Sequence, residues 1–192
     1  QSCSNRVVQR GITASLQIFY TGGGGRGWGV RTLTPIPRGG FVAEYSGELV
    51  VEKDADEREN VQYLLDCDVK LVDVTQGDVT GSGFKLVDVS SPTGVCVDPA
   101  LRGSVARFFN ASCKPNLVKA LVSCGEILEY RRDGLPVQRM QFERLAFFAG
   151  RAIGIGQELT WDYETEAGTE SVEAGCLCGE AECRGKLLDL GV

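Results

Sequence analysis

Three cysteines crowd the C-terminal end of the chain, Cys176-Leu177-Cys178 and then Cys183, with Gly175, Gly179 and Gly185 around them. Thiolates are soft anionic ligands, and tetrahedral zinc is satisfied by four of them at about 2.3 Å. A tail too short to build its own core would fold by borrowing a fourth ligand from the main body, and Cys113 is the candidate. Cys67, Cys96 and Cys124 read instead as buried thiols. Disulfides are the weaker rival, because C-x-C suits a short bridge poorly and no secretory leader is visible. The chain contains no His, which excludes Ser-His and Cys-His nucleophile pairs and leaves thiolates as the ligands for any zinc.

A second group of residues could hold a small molecule. In Gly24-Gly25-Arg26-Gly27-Trp28-Gly29 the glycines let backbone approach a ligand while one indole covers it, although a glycine-rich turn beside a core Trp has the same appearance. No Gly-Lys-Ser/Thr follows and no helix signal succeeds it, so this is not a cradle for a nucleoside triphosphate. Two further stretches carry polar and aromatic side chains together: Arg107-Phe108-Phe109-Asn110-Ala111-Ser112-Cys113-Lys114-Pro115-Asn116 and Glu158-Leu159-Thr160-Trp161-Asp162-Tyr163.

The elements that must position these residues are mostly strands. Short apolar, β-branched runs at 16–20, 28–33, 40–45, 47–51, 117–123, 126–131, 144–149 and 158–161 are separated by Gly and Pro clusters at 21–27, 34–40 and 133–136. Two stretches predict short helices: 54–65, and 99–110, where Leu101, Val105, Phe108 and Phe109 would share a face. Lys70-Leu71-Val72-Asp73-Val74 returns as Lys85-Leu86-Val87-Asp88-Val89 with glycines between, a hairpin arm rather than a repeat architecture. Residues 166–175, acidic and rich in small side chains, read as a linker to the cysteine tail.

Composition sets the outer bounds. A chain of 192 residues, 43% hydrophobic and 24% charged, is an ordinary folded domain with a small appendage. No apolar run approaches the roughly 18 residues of a membrane span, and Gln1 in place of Met, without a basic-then-apolar leader, reads as an excised fragment. Lys and Arg number 20 against 26 Asp and Glu, a net charge of −6. That balance argues against a nucleic-acid clamp in this domain and favours a basic partner. The acidic run 54–59 reads as a solvated helix face.

Taken in order, Gly27-Trp28-Gly29, Glu44-Tyr45-Ser46-Gly47-Glu48, Tyr63-Leu64-Leu65-Asp66, the 107–116 and 158–163 stretches and the cysteine tail resemble the SET-domain protein lysine methyltransferases over nearly the whole chain. Cys3-Ser4-Asn5-Arg6-Val7-Val8-Gln9 resembles the end of the pre-SET zinc module of the Suppressor-of-variegation 3-9 group, a module otherwise missing here. Leu159 to Tyr163 with Cys183-Arg184-Gly185-Lys186-Leu187-Leu188 is most similar to the bifurcated SET subgroup, whose substrate is the lysine at the ninth position of histone H3, without the insertion that names it. The resemblance implies a mostly β SET fold of several small curved sheets with a threaded C-terminal segment. It divides the chain into a pre-SET end (1–15), a SET domain (16–165) and a linker with a post-SET zinc tail (166–192).

By the same resemblance the activity is methyl transfer from S-adenosylmethionine to a lysine amine, with Tyr163 and Tyr45 catalytic. Arg26, Gly27, Trp28, Tyr63, Arg107, Asn110 and Ala111 would bind the cofactor, Tyr45, Trp161 and Tyr163 would line the lysine channel, and Cys113, Cys176, Cys178 and Cys183 would hold one structural zinc. The implied partner is the histone H3 tail, with other chromatin contacts made by regions outside this sequence, in the nucleus. Transfer needs no nucleophilic side chain, because alignment of the reacting atoms supplies most of the rate, so the absence of His is no obstacle.

Departures bear on this reading. The family's Asn-His-Ser-Cys is Asn110-Ala111-Ser112-Cys113, and its Gly-Asn is Gly103-Ser104. Trp161 stands where Phe or Tyr tunes the number of methyls added; an indole cannot hold water as a Tyr hydroxyl does, which favours multiple methylation although its bulk narrows the pocket. The competing reading is a weakly active or inactive SET-fold module that binds a histone tail or chromatin partner, and an aromatic cage for methyl-lysine would use the same side chains.

Overall fold

The computed structural model describes residues 6–22, 24–51, 57–58, 63–67, 69–72, 95–130, 138–163 and 174–187. Among them the chain forms five small sheets and a single 3-10 turn. Strand β1 (Leu16–Tyr20) pairs antiparallel with β2 (Trp28–Thr32), Tyr20 opposite Trp28, and the glycine-rich segment 21–27 closes the hairpin. β3 (Phe41–Tyr45) leads into β4 (Glu48–Val51), which lies in a three-stranded sheet in the order β4, β7 (Val95–Asp98), β5 (Leu65–Cys67). The largest sheet is built on a long hairpin of β9 (Leu117–Tyr130) and β10 (Gln138–Ala149). Both β3 and β6 (Val69–Val72) pair with β10.

The long hairpin replaces three separate strand expectations: 117–123 and 126–130 are one strand, with residue 131 outside the described residues, and 144–149 is the C-terminal half of another. The ladder absorbs the discontinuity as a register shift between Gln141 and Glu143, so the strand continues where the alternation in the sequence is interrupted. The turn at 133–136 lies outside the described residues, as does the 85–89 half of the expected arm. Its first half, β6, is paired with β10. β7 was not foreseen, since Val95-Cys96-Val97-Asp98 is buried at all four positions and shows no alternation.

Neither predicted helix forms as expected among the described residues. Most of 54–65 lies outside them, and Leu65 opens β5. In 99–110 only Val105–Phe108 winds, as a 3-10 turn. A Cβ on Gly103 would stand 2.4 Å from the Pro99 Cβ, so the two residues pack too closely for a regular helix, while Asp98 Oδ1 accepts from the Ala100 N–H and fixes a turn instead. Leu101 is 90% exposed while Phe109 is 1% exposed, so the expected shared face does not exist. Ser104 caps the turn: its Oγ accepts from the Ala106 N–H and donates to the Glu44 carbonyl at 2.5 Å, and its N–H donates to the Ser46 carbonyl at 3.1 Å. The departure from Gly-Asn at 103–104 therefore sits in a fully bonded local structure.

The C-terminal segment is drawn into the middle of the fold. β11 (Thr160–Trp161) runs parallel to β8 (Asn110–Ala111), and the Ser112 N–H donates to the Trp161 carbonyl at 3.0 Å. Asn116, 5% exposed, fastens this junction: its Nδ2 donates to the Glu158 carbonyl at 2.7 Å and its Oδ1 accepts from the Thr160 N–H at 2.9 Å. An Asn116→Ala variant leaves both backbone groups without these partners. At about 1–3 kcal/mol for each buried unsatisfied group, it should lose about 2–6 kcal/mol. Urea denaturation with an unchanged m-value would read this as a lower midpoint, and an unshifted midpoint would contradict it.

Behind these strands the core is aromatic. Phe147, fully buried on β10, stands 5.3 Å from Phe109, 5.2 Å from Trp161 and 6.3 Å from Tyr45, ring centre to ring centre. Trp161 in turn stands 4.7 Å from Tyr163. One core side chain thereby sets the relative position of residues from β3, the 3-10 turn and β11.

Candidate functional site

The tail is held where sequence spacing placed it. A short pairing of β12 (Ala174–Gly175) with β13 (Lys186–Leu187) brackets the three tail cysteines. Their sulfurs and that of Cys113 all lie within 4.8 Å of one another. Cys113 Sγ is 3.6 Å from Cys176 Sγ and 3.9 Å from Cys183 Sγ. A tetrahedron with zinc–sulfur bonds of about 2.3 Å has edges of about 3.8 Å, so this donor set fits zinc in both chemistry and spacing. Cys96 is buried in β7 and Cys124 half-buried on β9; neither belongs to the cluster, and the Cys67 side chain lies outside the described residues.

Polar groups around the sulfurs favour anions unequally. The Arg184 N–H donates to Cys113 Sγ at 3.4 Å and holds that thiol below its ordinary range. Burial pushes Cys176 up to about 12. Burial also opposes the Cys178 anion, but hydrogen bonds from backbone N–H groups and from Cys176 and Cys183 pull it down to about 6. A divalent cation would remove this conflict by stabilising all four thiolates together.

Tyr45 at the end of β3 and Tyr163 just after β11 reach the same aromatic cluster from opposite directions. Tyr45 Oη donates to the Tyr63 carbonyl at 2.7 Å, and Tyr163 Oη donates to the Phe109 carbonyl at 2.9 Å. Each phenol thus spends its proton on the backbone and keeps its lone pairs as acceptors. Burial raises both above the ordinary phenol value, Tyr163 to about 12 with a further push from Tyr63, and Tyr45 beyond that with a contribution from Tyr163. Trp161 is buried beside them, and Lys119 Nζ lies 5.6 Å from its ring centre.

Arg107 adjoins this cluster. Its guanidinium lies 4.6 Å from the Tyr63 ring centre and 5.1 Å from that of Phe108, and Nη1 donates to the Ala100 carbonyl at 2.8 Å. Its Nε is buried with no hydrogen-bond partner, a donor available to a ligand. The Ala111 peptide lies in the β8–β11 ladder.

On the other side of β8 stands the glycine loop. The Gly27 carbonyl accepts from the Thr21 N–H at 3.0 Å and from its hydroxyl at 2.8 Å, which pins the loop's base. Trp28 is 55% exposed and packs edge-on to Tyr20 with ring centres 5.6 Å apart. The tail reaches this loop: Leu177 Cδ1 is 3.0 Å from the place where a Gly25 Cβ would stand. Arg184 Nη2 donates to Asp162 Oδ1 at 2.5 Å and so ties the cysteine turn to the residue before Tyr163.

The candidate metal, channel and cofactor residues therefore fall into three groups: the thiolate cluster, the tyrosine and tryptophan cluster with Arg107, and the glycine loop with Asn110 and Ala111 on β8. Sequence reasoning assigned nothing to Glu158, to the Asp162–Arg184 pair or to Asn116. Their signal in the sequence was weak, each being a polar residue inside or beside an apolar stretch whose partner lies far along the chain.

A mostly β chain that gathers phenols, an arginine and a glycine loop beside a four-thiolate cluster defines a ligand-binding fold with a metal-stapled tail. The family model for the SET domain matches residues 27–164, and the chain belongs to that family. It is 37% identical over 185 residues to the histone-lysine N-methyltransferase EHMT1 of Mus musculus, an alignment spanning 96% of this chain and 12% of that protein. The crystal structure of SUVH6 of Arabidopsis thaliana in complex with SAM superposes with a TM-score of 0.66 at 33% identity, covering 95% of this chain and 34% of that one. KRYPTONITE, crystallised with mCHH DNA, an H3(1-15) peptide and SAH, superposes with a TM-score of 0.62 at 26% identity, over 96% of this chain and 32% of that one. This chain thus corresponds to a minor part of each of these relatives.

Proposed function

We propose that this chain is the SET and post-SET portion of an S-adenosylmethionine-dependent protein lysine N-methyltransferase that acts on the histone H3 tail, at the lysine in the ninth position, on chromatin in the nucleus. On this reading residues 1–15 end a pre-SET region, 16–165 are the SET domain and 166–192 the linker and post-SET tail. The observation that carries it is the pair of phenols, Tyr45 buried and Tyr163 half-buried, whose protons are bonded to backbone and whose oxygens remain acceptors. The relatives add support, since EHMT1 is named a histone-lysine N-methyltransferase and KRYPTONITE was crystallised with an H3 peptide.

When bound, S-adenosylmethionine supplies an electrophilic methyl group on a sulfonium, which an amine displaces in line. Arg26, Gly27, Trp28, Tyr63, Arg107, Asn110 and Ala111 would hold it, with the unpartnered Arg107 Nε as a donor and the exposed indole of Trp28 as a cover. Tyr45, Trp161 and Tyr163 form the walls of the lysine channel. A lysine has an ordinary pKa of about 10.4, so its amine must lose a proton before it can attack. Burial disfavours the ammonium ion, and the acceptor oxygens of the two tyrosines orient the neutral amine while stabilising the positive charge that moves onto it. Zinc on Cys113, Cys176, Cys178 and Cys183 would be structural and would keep the tail against the loop. A net charge of −6 suits a basic histone tail.

The test is transfer of a radiolabelled methyl group to H3 tail peptides with and without the lysine at the ninth position, on zinc-replete protein, alongside calorimetric cofactor binding. Label that depends on that lysine is expected. Label on another lysine would overturn the assigned position but keep the reaction. Cofactor binding without label on any H3 peptide would favour the binding-module reading that the replacement of His by Ala111 suggests.

A further inference from the structure

We infer that Glu158 is a positioning residue that aligns the cofactor-binding side of the site, an inference that rests on the methyltransferase reading. Its carboxylate joins three segments that are distant in sequence. Oε2 accepts from Arg26 Nη1 at 3.1 Å, which ties down the glycine loop. Oε1 accepts from Asn110 Nδ2 at 2.8 Å, which ties down β8, and the same Asn110 Nδ2 lies 3.2 Å from the Trp28 carbonyl on β2. The backbone of Glu158 is held independently: it bridges Arg31 on β2, and its carbonyl accepts from buried Asn116.

The strand above the carboxylate is shaped to let it pass. A Cβ on Gly29 would lie 2.7 Å from Glu158 Oε1 and 3.0 Å from Asn110 Nδ2, so only glycine leaves this bond undisturbed. The carboxylate and the Arg26 side chain are 20% and 28% exposed, and an ion pair so near the surface adds little to stability. Its consequence is geometric. Arg26 and Asn110 are fixed against one anion before any ligand arrives, and Asn110 is oriented by a charged acceptor that leaves its own oxygen free for a ligand. Glu158 acts through these two residues and is not itself required to touch the cofactor.

Calorimetric titration of S-adenosylmethionine into zinc-loaded parent, Glu158→Gln, Gly29→Ala, Asn110→Ala and the Glu158→Gln/Asn110→Ala double variant tests this, with zinc content and melting temperature recorded for each. Glu158→Gln and Gly29→Ala should each weaken cofactor binding by about tenfold, while the KM for peptide at saturating cofactor stays unchanged. In the Asn110→Ala background Glu158→Gln should add only about threefold, because its route through Asn110 is already gone and only that through Arg26 remains. Gly29→Ala keeps every functional group and decides the matter should Glu158→Gln melt early. Unchanged cofactor affinity in Gly29→Ala and Glu158→Gln, or full additivity in the double variant, overturns the inference alone. A parent that binds no S-adenosylmethionine overturns the methyltransferase reading on which it stands.

Discussion

Tyr163→Phe should lower methyl transfer by about 10²–10³-fold, the range seen when one preorganised polar group is withdrawn from a developing charge. The ring would remain against Trp161, 4.7 Å away, and only the oxygen would go. Because the hydroxyl's donated bond ends on the Phe109 carbonyl, its loss costs about 1 kcal/mol of stability and leaves the cofactor side untouched. Cofactor affinity should therefore match the parent's while the single-turnover rate collapses; a rate within a few-fold of the parent's would remove Tyr163 from the mechanism. The pH dependence gives an independent check. The rate should climb with pH as the substrate amine loses its proton, and burial keeps Tyr163 neutral up to about 12. The sign follows from linkage: a phenol raised in the folded state contributes stability that is fully present below its ordinary value of about 10 and lost as pH rises through about 12. No fall in rate from ionisation of this tyrosine should appear below that point.

What was legible in the sequence was local or chemical. The C-x-C-x4-C spacing identifies a chelate because neighbouring thiols cannot avoid sharing a ligand, and the runs of β1 to β4 show their strands because they are short, rich in apolar and β-branched residues and bounded by Gly and Pro clusters. What was not legible depends on partners remote in the chain. β7 is buried on both faces, so periodicity conceals it. The 99–110 stretch has helical spacing, but a Pro99–Gly103 contact and a Ser104 cap on the Glu44 carbonyl reduce it to one turn. Glu158 resembles a solvated charge until Arg26 and Asn110 are seen on either side of it, 132 and 48 residues away. Resemblance to a family singled out the tyrosines, yet the bonds of both phenols to backbone carbonyls, which leave their oxygens as acceptors, depend on Tyr63 and Phe109, residues remote from them in the chain.

Cys178→Ser should release the metal and, with it, the activity, while leaving the main β body folded. Structural zinc bound by such ligand sets contributes about 10–16 kcal/mol of apparent binding energy at neutral pH, far more than anything else described here that holds the tail. Those other contacts are three. The Arg184 N–H donates to Cys113 Sγ at 3.4 Å, Leu177, 49% exposed, rests near Gly25, and the Arg184–Asp162 pair is 45% and 32% exposed, a class of ion pair worth about 0–1 kcal/mol. None of them can hold a segment whose ordering entropy is about 1–2 kcal/mol per residue. The core, by contrast, depends on Phe109, Phe147, Leu145 and Leu159, none of which belongs to the tail. Elemental analysis should therefore fall from about one zinc per chain to near none. Limited proteolysis should cut after residue 163, and the main thermal transition should move little. Unchanged zinc content would sink the four-thiolate assignment, whereas zinc loss with full transfer would show that the tail is dispensable to the site. The expected result lies between these because the same turn that offers Cys183 to the metal also offers Arg184 to Asp162, the residue that precedes Tyr163, so loss of the ion should slacken the chain at the Tyr163 phenol.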